Sequence, residues 1–349
     1  MRPVWGKALE GDRPKHDDWY GYAELCLYLG REDEYRRARS ALLARFGTSD
    51  SRHVAERTAR ACLLLPMSGE EMSKAVSLAD LAAQADRKKY AAVYPYFQFV
   101  KGFAEYRRDN FGQAIVIMRG DASNIPGPLP KLVLGMAQHR TGKEAEARKT
   151  LASAMLDHHW DEDHVDGPEG WIRHVLRREA ERMVFPNLAA VLAGKQQPRD
   201  NDERLAQIGV CRFENRFAAL ARIYAEAFAI DPNLTNHHRL AAARVAVQAG
   251  GGRGRDAGGL SEAERRNWRA QARAWLREDL SARREALGRD FNKARDTVRQ
   301  SLTEWRKEPE LAGIREPAEL EKLLADEKID CRNLWAEVNT VLGSTSKTK

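Results

Sequence analysis

Apolar residues recur along much of the chain at the three- and four-residue spacing of a single helix face. Residues 171–184, WIRHVLRREAERMV, place Ile172, Val175, Leu176 and Met183 on one side, which predicts an amphipathic helix. Residues 53–85 indicate two more helices around a Pro-Met-Ser-Gly turn. Alanine, leucine, arginine and glutamate dominate, whereas valine and isoleucine are sparse, and this balance favours helix throughout.

An internal repeat organises the middle of the chain. Residues 99–122, FVKGFAEYRRDNFGQAIVIMRGDA, align without a gap with residues 132–155, LVLGMAQHRTGKEAEARKTLASAM. Gly102 matches Gly135 and Ala114 matches Ala147, so the period is 33 residues. A small glycine lets a paired helix approach closely, and the short RDN or TGK turn reverses the chain. The repeat therefore predicts antiparallel helical hairpins.

This period is similar to that of the tetratricopeptide (TPR) repeat, which is one residue longer. A third copy at 204–232 ends in YAEAFAIDP, where Pro232 is expected to stop the helix, and a degenerate copy occupies 20–47. The resemblance implies an all-α, TPR-like helical-hairpin solenoid with C-terminal capping helices. The segment AGKQQPRDND indicates a boundary between an N-terminal TPR-like array, 1–195, and C-terminal repeats with capping helices, 196–349. The segment CRNLWAEVNTVLG, 331–343, is expected to cap the last repeat.

Several longer segments of the sequence resemble the C-terminal region of large bacterial serine/threonine protein kinases. They are DWYGYAELCLYLGREDEYRRARSALLARFG, VAERTARACLLLP, VLRREAERM and WRKEPELAGIREPAELEKLLADEK. In that family a kinase domain precedes such segments. The chain has no Gly-rich loop with a following V-A-I-K lysine and no D-F-G, and GRDFNKAR at 288–295 lacks the catalytic-loop histidine and asparagine. The resemblance implies a non-catalytic scaffold or sensor in kinase signalling. The alternative is a detached part of a kinase polypeptide, which the DNA upstream of the coding sequence would reveal.

Charge and cysteine usage narrow the class of protein. The net charge is +7, from 58 basic and 51 acidic residues that are interleaved along the chain, as on solvated helix faces. A nucleic-acid-binding helical array is the weaker alternative, because nucleic-acid binding usually needs a less diluted basic patch. The cysteines at 26, 62, 211 and 331 are far apart and predict buried thiols in a reducing compartment. With no secretory signal and no membrane-spanning apolar run, a cytoplasmic protein is expected.

Two motifs resemble ligand-binding sites, and for each of them we favour an ordinary loop without a ligand. Gly252, Gly254 and Ala257 fit the G-x-G-x-x-[G/A] pattern of a dinucleotide-binding turn. A helix rather than a strand is expected before them, and the next helix is expected to begin at Ser261 with a capping box from Glu264. We therefore predict a spacer loop, no nucleotide and no cofactor.

The segment 158–166, HHWDEDHVD, resembles a metal site, but it lacks paired histidines at helical spacing. An acidic loop and no metal are therefore predicted.

An aromatic stripe is the candidate site for a protein or peptide partner. Tyr96, Phe99, Phe103 and Tyr106 follow one another at intervals of 3, 4 and 3 residues, which places them on one helix face. The second repeat offers matching residues, which are Leu129, Leu132, Met136 and His139. By the TPR resemblance these side chains line an apolar concave groove. The alternative is that neighbouring helices cover the stripe and make it core.

Overall fold

The computed structural model describes residues 16–19, 21–160, 165, 167–192 and 195–346, and this part of the chain contains helices and no strand. The prediction of an all-α fold is confirmed. The α-helices are α1 His16–Trp19, α2 Tyr22–Tyr28, α3 Glu32–Phe46, α4 Arg52–Cys62, α5 Gly69–Ala83, α6 Tyr94–Arg107, α7 Phe111–Arg119, α8 Leu129–Arg140, α9 Glu144–Leu156, α10 Gly167–Val184, α11 Leu188–Leu192, α12 Asn201–Phe213, α13 Phe217–Ile230, α14 Thr235–Gly250, α15 Glu262–Arg289, α16 Phe291–Lys307, α17 Pro317–Leu320 and α18 Ala325–Ser344. Short 3₁₀ helices occupy Asp121–Asn124, Pro232–Leu234 and Pro309–Ile314.

The 33-residue repeat corresponds to two successive hairpins, α6–α7 and α8–α9. A Cβ atom added to Gly102 would lie 2.9 Å from side-chain atoms of Ile117 and Met118, and one added to Gly135 would lie 2.7 Å from Leu151. Contacts this short leave no room for a side chain. The predicted role of the two glycines as points of close helix approach is therefore confirmed.

The hairpin turns share a backbone motif. The second residue after the first helix of each hairpin has left-handed φ, and the next amide donates to a carbonyl five residues earlier, as Asn110 does to Glu105 at 2.9 Å. Both features belong to the Schellman motif, which satisfies carbonyls at a helix end. The left-handed residues are Gly30, Asp109, Gly142, Asn215 and Gly252. The turns of all the predicted repeat copies, and the turn after α14, thus have one geometry.

The chain divides into two compact units, residues 1–206 and 207–349. The division falls inside α12, whereas the sequence indicated a boundary at 195–196. In the first unit each helix from α2 to α9 packs against the next one in the chain, and α10 then packs against α8 and α2. A late helix therefore contacts the first hairpin as well as the last one.

In the second unit α13, α14, α15 and α16 also pack in chain order. The C-terminal helix α18 packs against α15 and α16 and buries Leu334, Val338 and Val341. It contains the segment that was expected to cap the repeats. None of the helices in the described part of the chain is long and apolar enough to span a lipid bilayer.

Candidate functional site

The aromatic stripe on α6 lies inside the first unit. Phe99 and Phe103 have no exposed surface, Tyr106 is 3% exposed and Tyr96 is half-buried. The rings of Phe99 and Phe103 stack at 5.9 Å between centroids, and those of Phe103 and Tyr106 at 6.5 Å. These rings form part of the hydrophobic core, which is the alternative that the sequence left open.

The matching residues of the second repeat are buried as well. Leu129, Leu132 and Met136 have no exposed surface, whereas His139 is half-buried. The Tyr106 hydroxyl lies 3.7 Å from the Met136 sulfur. The groove interpretation is therefore corrected for the buried residues of both sets, because no open surface reaches them. Tyr96 and His139 keep partial exposure.

Helix α10 covers the stripe at its C-terminal end. The Met183 sulfur lies 3.8 Å from the Tyr106 hydroxyl, and Glu179 accepts two hydrogen bonds from Arg107, one of them at 2.7 Å. The apolar residues predicted on one side of this helix include Ile172 and Leu176, which have no exposed surface. The spacing of the aromatic residues left open whether the stripe is a groove or is covered by neighbouring helices, and it did not indicate α10 as the cover.

Arg107 joins three elements at this point. Its guanidinium donates to the carbonyls of Leu63 at 2.6 Å and Leu64 at 2.8 Å, just after α4 ends, and lies 4.9 Å from the Phe103 ring centroid. Burial opposes its charge, but the hydrogen bonds and the charge of Glu179 outweigh burial and raise the pKa of Arg107. The side chain therefore stays charged and satisfies carbonyls that a helix end leaves without partners.

A second buried group of charges lies beside Tyr96. Glu24 has no exposed surface and accepts a hydrogen bond from the Gly21 amide at 2.9 Å, and burial raises its pKa to about 7. Glu56 is 2.8 Å from Arg60, whose guanidinium lies 5.6 Å from the Tyr96 ring centroid. A carboxyl group with this pKa suits general acid–base chemistry. Since Glu24 is fully enclosed, a substrate does not reach it in this conformation.

The sequence analysis did not predict that these charged side chains are buried. The four-residue interval between Glu56 and Arg60 is a signal for a pair on one helix face. It does not indicate burial, because the same interval is common on solvated helices, as at Glu70 and Lys74.

A cleft next to α10, which we call the α10 cleft, has a volume of about 280 Å³. Its apolar lining includes Leu27 from α2, Leu64 after α4 and Val175 from α10. Arg178 and Arg182, one helical turn apart on α10, also line it. The α10 cleft therefore combines an apolar wall with two guanidinium groups.

In the second unit the glycine run is a structural loop, and its description as a spacer is wrong. Gly252 and Gly254 have left-handed φ, and a Cβ on Gly254 would lie 2.3 Å from the Asn215 carbonyl oxygen. Asp256 accepts hydrogen bonds from the amides of Ala218 at 3.0 Å and Ala219 at 2.9 Å, in the first turn of α13. The loop thus satisfies amides of the preceding hairpin.

The helices around this loop agree with the prediction. A helix, α14, precedes the glycines, and Ser261 caps α15 in a capping box with Glu264. A dinucleotide-binding turn needs a strand before its glycines. Because a helix precedes the glycines here, the loop does not have the geometry of a dinucleotide-binding turn.

The arginine-rich segment of α15 forms ion pairs with α18. Arg269 donates to the two carboxylate oxygens of Glu327 at 3.0 and 2.8 Å, and Arg273 donates to Asp330 at 2.6 Å. Arg269, Arg273 and Glu327 are each at most 5% exposed. These ion pairs leave less of the charge of this arginine-rich segment for the phosphate groups that a nucleic-acid-binding protein must contact.

A wider groove lies between the C-terminal part of α15 and the start of α16. Its volume is about 540 Å³, and its lining includes Ala282, Ala286 and Ala294 together with Arg289 and Lys293. Arg289 and Lys293 are exposed and form no ion pair with other described residues. We call this surface the α15–α16 groove.

The predicted metal-like segment, 158–166, lies partly outside the described residues. Trp160 is fully buried, and His158 packs edge-on against it at 4.7 Å between ring centroids. Within the described ranges no three histidine, cysteine or acidic residues come together as a metal site would require. The four cysteines are buried and free of disulfides, and their burial is as predicted.

Comparisons of the chain with protein-family models, with curated proteins and with solved structures find no match.

Proposed function

We propose that the chain is a non-catalytic, TPR-like helical-repeat module that binds a protein partner in the cytoplasm, in bacterial serine/threonine kinase signalling. The observation that carries the proposal is the hairpin geometry, which recurs at Gly102 and Gly135 and at the left-handed turn residues. Stacked helical hairpins serve widely as protein-binding surfaces. The kinase connection depends on the sequence resemblance.

The α15–α16 groove is the proposed contact surface, since the aromatic stripe is enclosed. Alanines at 282, 286 and 294 leave room for an approaching helix. Asp279 is paired with Arg283 at 2.9 Å, and the Asp290 carboxylate accepts from the Lys293 amide at 3.1 Å. The positive charges of Arg289 and Lys293 are therefore available to pair with carboxylates of a partner. An acidic amphipathic helix of a partner protein complements this surface in shape and charge.

The experiment is a capture assay with charge-reversed variants. The immobilised chain is exposed to lysate of the native host, and retained proteins are identified for the wild type, for R289E/K293E and for K88E/K143E. The last variant makes the same change in net charge at exposed lysines elsewhere. We expect one acidic partner to be retained by the wild type and by K88E/K143E and lost with R289E/K293E. An identical set for all three proteins contradicts the proposed surface.

The non-catalytic part of the proposal has its own test. Phosphoryl transfer needs an ATP-binding lysine and metal-binding acidic residues, and the corresponding motifs do not occur in this sequence. Purified chain incubated with labelled ATP and magnesium should transfer no label to itself or to a general substrate protein. Stoichiometric labelling of either would refute this part.

A further inference from the structure

The charges of the α10 cleft do not balance among the described residues. Arg178 donates to two neutral acceptors, the carbonyls of Tyr28 at 2.8 Å and His174 at 3.2 Å. Arg182 is exposed. Neither forms an ion pair within the part of the chain that the structure describes. Like charges one turn apart on a helix repel each other, so an anion bound between them would reduce this repulsion.

The carboxylates nearest the cleft have other partners. Glu179 binds Arg107 at 2.7 Å. Glu32, at the start of α3, lies 3.4 Å from Arg36 on the exposed face of that helix. The two arginines of the α10 cleft therefore keep an excess of positive charge.

Two neighbouring groups have lowered pKa values, mainly because of burial and of Arg177, which does not line the cleft. Burial first, and then the charges of Arg177 and Arg178, lower the pKa of His174 to about 3. Burial and the charge of Arg177 likewise lower the pKa of Arg178. Perturbed groups beside a cleft are more frequent at binding sites than elsewhere.

We propose that the α10 cleft binds a small amphipathic carboxylate, with its anionic group on Arg178 and Arg182 and its apolar body against Leu65 and Pro66, which also line the cleft and keep exposed surface. The volume of about 280 Å³ lies near the lower limit for small-molecule sites. Charge-assisted hydrogen bonds from guanidinium groups are among the strongest that proteins form with carboxylates. Inorganic phosphate lacks an apolar body and can use only the two guanidinium groups, so we expect it to bind no more tightly than an uncharged amphiphile. This ligand differs from the protein partner proposed above.

Calorimetric titration of the full chain with octanoate tests the proposal. Octanamide, which has the same chain without the charge, and inorganic phosphate are titrated in parallel. We expect octanoate to bind at least about tenfold more tightly than octanamide and phosphate to bind no more tightly than octanamide. Absence of octanoate binding, equal affinity for the amide, or tighter binding of phosphate would each overturn the proposal.

Two variants locate the binding. Arg182 is exposed and its side chain makes no hydrogen bond to another described residue, so R182E should keep the fold, and it should weaken octanoate binding by at least about tenfold. Arg119 on α7 is also exposed but does not line the cleft, and R119E should leave the affinity unchanged. Circular dichroism of both variants establishes that they are folded. If folded R182E binds octanoate as the wild type does, the cleft is not the site.

Discussion

The first helix of each hairpin is followed by a residue with the same left-handed backbone conformation. The type of that residue differs from one hairpin to the next. Gly30, Gly142 and Gly252 adopt left-handed φ without steric cost, whereas Asp109 and Asn215 adopt it at φ of 61° and 53°. Aspartate and asparagine tolerate this region better than other residues with a Cβ. Glycine by itself is therefore not a reliable marker of these turns, and aspartate or asparagine marks two of them.

Gly254 is the residue whose substitution tests the packing of the glycine loop. Gly254→Ala combines left-handed strain with a Cβ 2.3 Å from a backbone oxygen, so we expect it to destabilise the second unit by about 2–4 kcal/mol. Gly258→Ala is the matched control in the same loop, because a Cβ there meets nothing within 4 Å. Urea unfolding followed by circular dichroism compares the two. Equal midpoints for both variants and the wild type would show that the close packing at Gly254 contributes little to stability.

Glu24 makes stability depend on pH. Burial raises its pKa from an ordinary 4.5 to about 7, so the folded state holds this proton more tightly than the unfolded state. The resulting stabilisation is complete below pH 4.5 and is lost as pH rises to about 7. Glu24→Gln mimics the protonated group, and at pH 8 it should be more stable than the wild type by about 3 kcal/mol, the equivalent of the pKa change.

The measurement is the difference in unfolding free energy between Glu24→Gln and the wild type at pH 4.5 and at pH 8. At the lower pH the two proteins should agree. Glu144→Gln, at an exposed position on α9, is the control and should follow the wild type at both values. A Glu24→Gln variant that is less stable than the wild type at pH 8 contradicts the assigned direction.

At the scale of elements, α10 decides what the aromatic stripe does. Its Glu179 and Met183 contact Arg107 and Tyr106 of α6, so a segment of this chain occupies the face that was expected to bind a partner. Helical periodicity and the matched glycines were sufficient to predict the hairpins and their close approach. The cover was not predictable, because α10 and α6 are joined by side chains that are 72 residues apart and no local pattern records such a contact.

Arg107→Ala measures how strongly α10 is held. The change leaves Glu179 without its buried partner and removes donors from the carbonyls of Leu63 and Leu64, which should cost about 3–5 kcal/mol. The adjacent Arg108 is half-exposed and lies 3.7 Å from Glu105. Arg108→Ala should cost less than about 1 kcal/mol. Thermal melting of both variants is the test, and similar shifts would show that the Arg107 network contributes little.

At the scale of the whole molecule, each compact unit contains a late helix that binds earlier helices through a buried arginine–glutamate pair. In the first unit the pair is Arg107–Glu179, and in the second it is Arg269–Glu327. The amphipathic pattern of 331–343 predicted that α18 packs on other helices. It did not predict the charged contact, since Glu327 lies outside that segment and arginines in α15 resemble those of a solvated face.

Glu327→Ala tests the pair in the second unit. Arg269 and Arg273 are 5% and 4% exposed, so removing the carboxylate leaves their charges buried with fewer acceptors. We expect a loss of about 3–5 kcal/mol. Glu337→Ala, at a carboxylate on the same helix that is 37% exposed, should change stability by less than about 1 kcal/mol. Hydrogen exchange at α18 amides should increase in Glu327→Ala only, and equal exchange in both variants would argue against the pair.

The position of α10 in the chain has a consequence for the nascent protein on the ribosome. Arg178 donates to the Tyr28 carbonyl across 150 residues of sequence, and protein synthesis adds about 5–20 residues per second. The face of α2 that α10 covers is therefore synthesised roughly 8–30 s before its cover. During that interval we expect the face of α2 that contacts α10 to be exposed to chaperones and to other nascent chains.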